Sequence, residues 1–392
     1  MQKGLFLAVM LLSVGRVLSS PVATDVSMPV FSLSAYLYQP FMSNGNSFVM
    51  SPINAYFSLS ALMEGSDEAA RKELNGLLQL PENRTSRVQG MQNLASRLSK
   101  VTNPNSIEIG GMEDRETFKF QGQNSIWVSE NLNLNPEFEV TAKNFFGFEI
   151  LRTDFGSGRS ATEIDKWVRT SANEEVNSPN IQVSQDTKML IANSVYFTGQ
   201  WLIPFAHEET KERPFVAISG QKVLKKFMKT TGFFRYASEE GTKLIALKYK
   251  SGNHSLIIKS GVSHISPGQL SKILSTSETR VRLSVPKFFL DNTLDLQEAL
   301  KRQGVRGIFQ KEGSGLKAAS EDPGLFIAGV HQACRLAVDE VGTVEAVYAG
   351  LAEEGHGYPN DLPLEVSFDE FFSFYIYDEV NKVFLFTGAL LK

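Results

Sequence analysis

The stretch MLIANSVYFTGQW, residues 189–201, is the most informative part of the sequence for the fold. Residues 189–197 form a nearly continuous apolar run of strand length, and the run ends in a polar and glycine-containing segment before Trp201. Such a run predicts a β-strand that is buried on both of its faces. A strand of this kind belongs to the interior of a sheet with other elements packed above and below it.

Further strands are predicted C-terminal to this run. Residues 371–377 and 383–387 are rich in aromatic and β-branched side chains and flank a short polar turn, which predicts a closing hairpin. Apolar segments of strand length also occur at residues 244–249, 255–259 and 281–289. The second half of the chain is therefore expected to be rich in strands.

Helices are predicted mainly in the first half. Ser51 and Pro52 precede an apolar-periodic stretch, and proline suits the first turn of a helix. Residues 67–80 and 163–176 have the apolar spacing of amphipathic helices. Helices followed by strands indicate an α+β body. Because no repeat, low-complexity tract or Pro/Gly-rich linker interrupts the sequence, residues 20–392 are predicted to form one domain.

Composition excludes several classes of protein. Of 392 residues, 42% are hydrophobic and 21% are charged, which excludes a disordered, collagen-like or coiled-coil chain. The net charge of −4 argues against a nucleic-acid partner, whose binding needs a dominant basic surface. The only cysteine, Cys334, cannot form an internal disulfide and is interpreted as a small buried residue.

The N-terminus resembles a targeting signal. Lys3 is followed by an uncharged apolar run at residues 4–15 and by small residues at Ser19 and Ser20. This pattern predicts a secretory signal peptide over residues 1–19, and the alternative is a membrane anchor or a buried first helix. The mature protein is therefore expected to be extracellular, with no membrane association. The sequons that begin at Asn83 and Asn253 are candidate glycosylation sites on that route.

No catalytic or cofactor signature is present in the sequence. The nucleophile elbow, the phosphate-binding loop and the H-E-x-x-H zinc motif are all absent, and a C-x-x-C metal site is impossible with one cysteine. The sequence therefore predicts neither an enzyme nor a cofactor or metal. A basic stretch at residues 222–235 has two interpretations, a weak site for sulfated polysaccharide or a solvated strand surface; its cations are Lys222, Lys225, Lys226, Lys229 and Arg235.

Several separate segments resemble the serpin family of serine protease inhibitors. They are Asn46 with Ser51 and Pro52; the stretch from Asn193 to Trp201; Pro286 to Phe288; His331 to Ala333 with Asp339 to Thr343; and the closing hairpin with Phe386 and Gly388. They occur in the order of the family and cover nearly the whole mature chain. The resemblance implies three β-sheets, about nine helices and an exposed reactive centre loop near the C-terminus, at about residues 341–364.

The resemblance also implies a mechanism. In inhibitory serpins a protease cleaves the loop, and the cleaved loop inserts as a new strand into the central sheet before the acyl-enzyme hydrolyses. The inhibitor is a suicide substrate, and its active fold is metastable. The resemblance assigns Ser51, Asn54, Asn193 and His331 to the shutter, beneath the opening of the sheet. It assigns Trp201, Lys287 and Glu340 to the breach, where insertion begins, with an ion pair between Lys287 and Glu340.

The loop departs from the pattern of inhibitory serpins at its hinge, which is Gly342, Thr343, Val344, Glu345 and Ala346. Strand side chains alternate between faces, so Glu345 turns inward on insertion if Thr343 does. A buried unpaired carboxylate disfavours insertion. The expected function is therefore a secreted protease inhibitor, with a non-inhibitory carrier, storage or signalling serpin as the alternative.

The cleavage site has two candidates. Counting forward from the hinge gives His356–Gly357, whereas counting back from the following strand gives Asn360–Asp361. No Arg or Lys lies between Val341 and Lys382, so the expected target is a serine protease that is not trypsin-like. A monomer is the default state.

Overall fold

The computed structural model describes residues 25–99, 118–172, 181–343 and 362–392. Within these ranges it contains eight α-helices: α1 Ser27–Met42, α2 Pro52–Glu64, α3 Glu68–Leu78, α4 Arg84–Ser99, α5 Pro136–Phe146, α6 Ser160–Ser171, α7 Pro267–Ser275 and α8 Gln297–Arg302. None of the described helices is long and apolar enough to cross a membrane.

The described strands belong to two hydrogen-bonded networks and are numbered along the chain. They are β1 Phe48–Met50, β2 Phe118–Ser129, β3 Phe148–Thr153, β4 Met189–Gln200, β5 Lys211–Val216, β6 Lys222–Glu239, β7 Thr242–Lys248, β8 His254–Ser260, β9 Glu278–Pro286, β10 Phe288–Asp295, β11 Ile327–Val338, β12 Gly342–Thr343, β13 Leu364–Ser367, β14 Phe372–Asp378 and β15 Val383–Leu390.

The six-stranded network is the central sheet. Its order is β10-β11-β4-β2-β3, and the short β12 pairs separately with β4. β4 and β11 run parallel, whereas β2 is antiparallel to β4. The apolar run at residues 189–197 is thus an interior strand, as predicted, and its residues are buried continuously from Met189 to Val195.

The nine-stranded network is a second sheet with two portions joined by the long β6. One portion is β1-β15-β14-β8-β7, and the other contains β5, β9 and β13. Together with the central sheet these portions account for the expected three-sheet, α+β architecture. The closing hairpin is confirmed as β14 and β15, which lie in the middle of the first portion.

Residues next to the first turns of α2 and α3 determine where these helices begin. Ser51 caps α2 by accepting a hydrogen bond from the Asn54 amide, and Pro52 occupies the first turn, as predicted. Asp67 caps α3 in the same way through the amides of Ala69 and Ala70.

One strand prediction was wrong: the run at residues 281–289 breaks at Lys287, so that β9 joins one sheet and β10 joins the other.

A buried ion pair anchors α4 against α2. Arg87 Nε lies 2.5 Å from Glu64 Oε1, and both side chains are almost completely buried. The Arg87 guanidinium also donates to the carbonyls of Pro81 and Glu82. Arg84 Nε also donates to Glu64 Oε2 at 3.0 Å, but its side chain is half exposed, so Arg87 is the buried partner of this carboxylate.

We expect Arg87→Met to destabilise the fold by up to about 3–5 kcal/mol, because the buried Glu64 carboxylate would keep only the half-exposed Arg84 as a charged partner. The double variant Glu64→Leu/Arg87→Met should recover much of this loss. Urea unfolding followed by circular dichroism measures both. The control is Lys301→Met, which removes the exposed pair with Glu298 and should change stability by less than about 1 kcal/mol. Equal losses in the single and double variants would contradict the buried-charge explanation.

Candidate functional site

The chain reverses direction directly after β11. The amide of Asp339 donates to the carbonyl of Gly342 across a tight turn. The Asp339 carboxylate accepts from the amides of Val341 (2.9 Å) and Gly342 (3.1 Å). Backbone and side-chain hydrogen bonds of Asp339 thus both stabilise the turn. After the turn, the first residues of the loop run antiparallel to β4 in the central sheet.

The first two residues after this turn form a strand of the central sheet. Gly342 pairs with Gln200 and Thr343 pairs with Gly199, antiparallel to β4. Thr343 is completely buried, and its Oγ1 lies 2.8 Å from the Tyr249 hydroxyl. Thr343 therefore points to the inner face of the sheet.

Glycine is required at two positions where β12 pairs with β4. A Cβ on Gly342 would clash with the Gly199 carbonyl oxygen, which is backbone and cannot move aside. A Cβ on Gly199 would lie 2.8 Å from the Tyr249 ring. The two glycines allow an approach that any larger residue at these positions would prevent.

Trp201 packs on the inner side of the same turn. Its ring stacks on Tyr249 with centroids 4.6 Å apart, and its Nε1 donates to the Asp339 carbonyl at 2.9 Å. Its own amide donates to the carbonyl of Val341. The indole thus connects the end of β4 with the turn that follows β11.

Glu340 is held by partners from two other segments. Its Oε2 accepts from Lys287 Nζ at 2.6 Å, and its Oε1 accepts from Thr210 Oγ1 at 2.8 Å. His207 Nδ1 lies 3.6 Å from Oε2. The ion pair between Lys287 and Glu340 is present, and it ties the turn to the link between β9 and β10.

The two neighbouring carboxyl groups have opposite pKa shifts. Burial raises the pKa of Asp339, and the hydrogen bonds from Val341 and Gly342 only partly offset this. Burial acts in the same direction on Glu340, but the hydrogen bonds from Lys287 and Thr210 outweigh it and lower the pKa of Glu340. Glu340 is therefore the residue of the turn whose negative charge the fold stabilises.

The pairing between β4 and β11, here called the seam, stops short of the turn. It extends from Met189 and Ile327 to Tyr196 and Arg335. Beyond Tyr196, β4 pairs with β12 instead of β11, at Gly199 and Gln200. Phe197 and Thr198 lie between the two pairings, and no described residue pairs with them on the side of β11.

A polar cluster lies beneath the seam. Asn193 Nδ2 donates to Asn124 Oδ1 at 2.7 Å and to Ser58 Oγ at 3.0 Å. The Ser58 hydroxyl in turn donates to the Asn54 carbonyl on α2. On β11, Gln332 exchanges two hydrogen bonds with the backbone of Ser51. The cluster joins α2 to β2, β4 and β11.

The assignment of His331 to this cluster was wrong. His331 pairs with Ala192 and Gln332 pairs with Asn193, so Gln332 and not His331 shares the face of Asn193. The His331 ring lies over Gly329 and opposite Asp295, and burial lowers its pKa. Ser58, Asn124 and Gln332 were missed; Ser58 follows Asn54 by one helical turn, and Gln332 follows His331 directly.

Asn54 contributes its backbone carbonyl, rather than its side chain, to the hydrogen bonds of the polar cluster. Its Oδ1 is buried and has no hydrogen-bond partner among the described residues, and its Nδ2 lies against Gly122. The side chains of Ser51, Asn54 and Asn193 form no hydrogen bond with one another. Ser51 Oγ instead caps α2, because it begins the helix.

The family model described as Serpin (serine protease inhibitor) matches residues 30–392. The chain belongs to the serpin family. An uncharacterised serpin-like protein of Methanosarcina acetivorans is 23% identical over 371 residues, which are 90% of this serpin and 83% of that protein. The family assignment agrees with the order of the sequence segments that carried the resemblance.

Two solved structures show the same fold. Tengpin, a thermophilic serpin crystallised in the native state, has a TM-score of 0.79, with 20% identity and 93% of each chain covered. Human thyroxine-binding globulin, crystallised with its ligand, has a TM-score of 0.81 at 19% identity, with 95% of this chain and 99% of that one covered. Serpins are mostly protease inhibitors rather than enzymes, and their family includes secreted members.

Other predicted site residues divide into two groups. Val344, Glu345 and Ala346 of the hinge, both candidate cleavage sites (His356–Gly357 and Asn360–Asp361) and the signal peptide lie outside the described residues. Asn83 and Asn253 are both exposed, before α4 and β8 respectively, and they remain candidate glycosylation sites. Cys334 is a free, fully buried thiol on β11, and burial raises its pKa. No group of three or more candidate metal ligands occurs in the described parts of the chain.

We expect Glu340→Gln to lower the thermal unfolding midpoint at pH 7, because the Lys287 ammonium loses its charged partner. A lowered pKa stabilises the fold fully above the unfolded value near 4.5, and this contribution is lost as the pH falls further. The difference from the parent should therefore shrink between pH 4.5 and pH 3. Asp339 titrates in both proteins, but the charge of Glu340 contributes to its raised pKa only in the parent.

Differential scanning calorimetry from pH 7 to pH 3 measures this difference. Glu365→Gln is the matched control, because Glu365 makes an exposed ion pair with Arg282, which is screened by solvent. It should have little effect at any pH. A Glu340→Gln difference that stays constant across the range would mean that packing, not charge, is responsible.

Proposed function

We propose that this serpin is a secreted, monomeric inhibitor of a serine protease that is not trypsin-like. It acts as a suicide substrate and not as an enzyme. After cleavage the reactive loop inserts between β4 and β11, and the acylated protease is displaced with it. No arginine or lysine is available in the loop to direct a trypsin-like enzyme to it.

The observation that carries the proposal is the pairing of β12 with β4. Gly342 and Thr343 occupy the position that an inserted strand would extend, beside β4 and next to the end of the seam. β4 and β11 are parallel to each other, so a strand running back between them is antiparallel to both. Separation of the seam from this end would expose two unpaired strand edges for the loop to join.

Extension of the β12 register predicts where each loop residue would go in the cleaved form. Thr343 opposite Gly199 is followed two residues later by Glu345 opposite Phe197, on the same inner face. The Phe197 ring contacts the rings of Phe118 and Tyr249, with centroids 5.0 and 5.2 Å away. Insertion would therefore bring the Glu345 carboxylate into an aromatic cluster.

This carboxylate would slow insertion. Burial of an unpaired charge is strongly unfavourable, and the group would have to take up a proton or find a partner. Each increase of about 1.4 kcal/mol in the insertion barrier slows insertion roughly tenfold. Since inhibition is a race between insertion and hydrolysis of the acyl-enzyme, Glu345 is expected to shift cleavage events from stable adduct towards released product.

The alternative function is a non-inhibitory serpin with a carrier, storage or signalling role. Glu345 is the observation that favours it. Thyroxine-binding globulin, which was crystallised with thyroxine, illustrates that this fold also serves as a carrier. The likeness to it extends to the fold only, so it gives no ligand for this chain.

Incubation with chymotrypsin-, elastase- and subtilisin-like proteases separates the two functions. An adduct of serpin and protease that survives SDS gel electrophoresis supports inhibition. Cleavage in the loop by all three proteases without any adduct would overturn the proposal and leave the carrier alternative. Mass spectrometry of the released peptide would also decide between His356–Gly357 and Asn360–Asp361.

Glu345→Ala should increase the ratio of adduct to cleaved serpin by about tenfold or more, because it removes the charge that would enter the aromatic cluster. Glu354→Ala is the matched control. It removes the same charge from the same loop, but its position in the alternation places it on the outer face. Densitometry of gels at equal protease concentration gives the ratio. An equal rise in both variants would indicate that loop charge acts on the protease encounter, not on insertion.

Thr343→Arg tests the entry of the loop. Thr343 is fully buried beside Tyr249, and an arginine cannot occupy that space. We expect cleavage to continue at the parent rate while adduct formation is abolished. Leu362→Arg is the control at a position that is 95% exposed, and it should retain the parent ratio. Full adduct yield in Thr343→Arg would be incompatible with insertion from this end.

A further inference from the structure

A cavity with a volume of about 300 Å³ lies between β2 and the helices α2, α4 and α5. Solvent reaches its edge, because Gly122 on β2 and Gly147 at the end of α5 are exposed. We call it the Asn54 cavity, after a buried polar residue of its lining. Most of the lining is apolar and consists of Ile53, Phe57, Ala95, Leu98, Phe120 and Phe146.

The side chain of Asn54 is the exception in this lining. Asn54 is only 4% exposed, and its Oδ1 is buried without a hydrogen-bond partner among the described residues. The hydrogen bonds that Asn54 does make come from its backbone, whose amide donates to Ser51 and whose carbonyl accepts from Ser58. Asn124, the other buried amide of the lining, differs because its Oδ1 accepts from Asn193. The side-chain amide of Asn54 is therefore available to a ligand.

The backbone on both sides fixes the position of this amide. Asn54 lies in the first turn of α2, which begins at the Ser51 cap. On the opposite side, a Cβ on Gly122 would lie 2.5 Å from Asn54 Nδ2, so only glycine leaves room for the amide. Gly122 is itself held in the sheet by its pairing with Val195. The amide is thus positioned before a ligand arrives, which reduces the entropy lost on binding.

The rest of the lining indicates an uncharged aromatic ligand. None of the described residues that line the cavity is charged, so an ionised ligand would be buried without a partner. Phe57, Phe120 and Phe146 line it from α2, β2 and α5, and aromatic rings pack well against one another in offset or edge-to-face arrangements. The volume is at the lower end for small-molecule sites, which limits the ligand to one or two rings.

We propose that the Asn54 cavity binds a neutral aromatic lactam, a ring in which an N–H group lies next to a carbonyl group. The lactam N–H donates to Asn54 Oδ1, and the lactam carbonyl accepts from Asn54 Nδ2. The two groups carry the same donor and acceptor in opposite order, so two parallel hydrogen bonds form and fix the orientation of the ring. This inference does not depend on whether the serpin inhibits a protease.

Titration calorimetry with the full-length protein tests the proposal, with the two-ring lactam carbostyril and its N-methyl derivative as probes. We expect the parent to bind carbostyril at least about tenfold more tightly, because the N-methyl derivative leaves Asn54 Oδ1 without a donor. Asn54→Leu removes both hydrogen-bonding groups at similar size. The two probes should then bind within about threefold of each other. If the methyl group were excluded by its size alone, the preference for carbostyril would persist in this variant, and the proposal would be wrong.

Ala95→Phe fills the cavity from α4 and leaves the amide of Asn54 in place. It should weaken the binding of carbostyril by at least about tenfold. Gln92→Phe is the matched control, because it adds the same ring to the same helix at an exposed position outside this lining. It should change the affinity by less than about twofold.

Three further results would overturn the proposal: no saturable binding of carbostyril to the parent, equal affinity of the parent for both probes, or equal losses in Ala95→Phe and Gln92→Phe. Circular dichroism melting establishes which variants are folded. The comparison of the two probes on the parent needs no variant, so it tests the proposal even if Asn54→Leu does not fold.

Discussion

The parallel pairing of β4 with β11 is the interaction on which the rest of this serpin depends. It joins the two halves of the central sheet, yet it ends at Tyr196 and Arg335, before either strand does. Beneath it the helix α2 is bonded to β4 through Ser58 and Asn193 and to β11 through Ser51 and Gln332. Separation of β4 from β11 must therefore break buried side-chain hydrogen bonds as well as backbone hydrogen bonds, and new partners must replace the broken ones. A partly opened seam is unfavourable, because it leaves buried polar groups without hydrogen-bond partners. If the proposed insertion occurs, a seam of this kind would have two stable arrangements, closed or fully filled, rather than a continuum between them.

The turn after β11 determines the end from which such filling would start. Its conformation depends on Asp339, which is buried and closes the backbone, and on Glu340, which points to Lys287 and Thr210. The same turn is covered on its inner side by Trp201 and Tyr249. Charge and aromatic packing thus hold the chain at the place where β12 begins, so the loop starts from a fixed direction rather than from a random coil. This would lower the entropy that must be lost for Val344 to join β4 during the proposed insertion.

The sequence predicted those features that depend on local pattern. The apolar run of β4, the closing hairpin and the place of Pro52 in the first turn of α2 each carry their signal within a few residues. The site was harder to predict from the sequence, because its residues come from separate strands. Only the register in which those strands pair brings these residues together. Choosing His331 instead of Gln332 is an error of one residue, but one residue reverses the face of a strand. The two-residue β12 has no periodicity at all, and its pairing depends on the turn and on the glycines Gly342 and Gly199, which allow the close approach. The break at Lys287 likewise assigns β9 and β10 to different sheets. The apolar run at residues 281–289 gives no sign of this division.

The position of Glu345 along the insertion path matters more than its charge alone. By the register of β12 it would meet β4 at Phe197, and the first pair of the seam to be broken comes only afterwards, at Tyr196. The unfavourable step thus precedes nearly all of the hydrogen bonds that insertion gains, so it raises the barrier without removing the final stability. A cleaved form with a fully inserted loop and a higher melting temperature is then compatible with poor inhibition. On the proposed mechanism, stabilisation on cleavage and trapping of a protease would be separate properties of this serpin, because the first would depend on the end state and the second on the rate at which Glu345 enters the aromatic cluster.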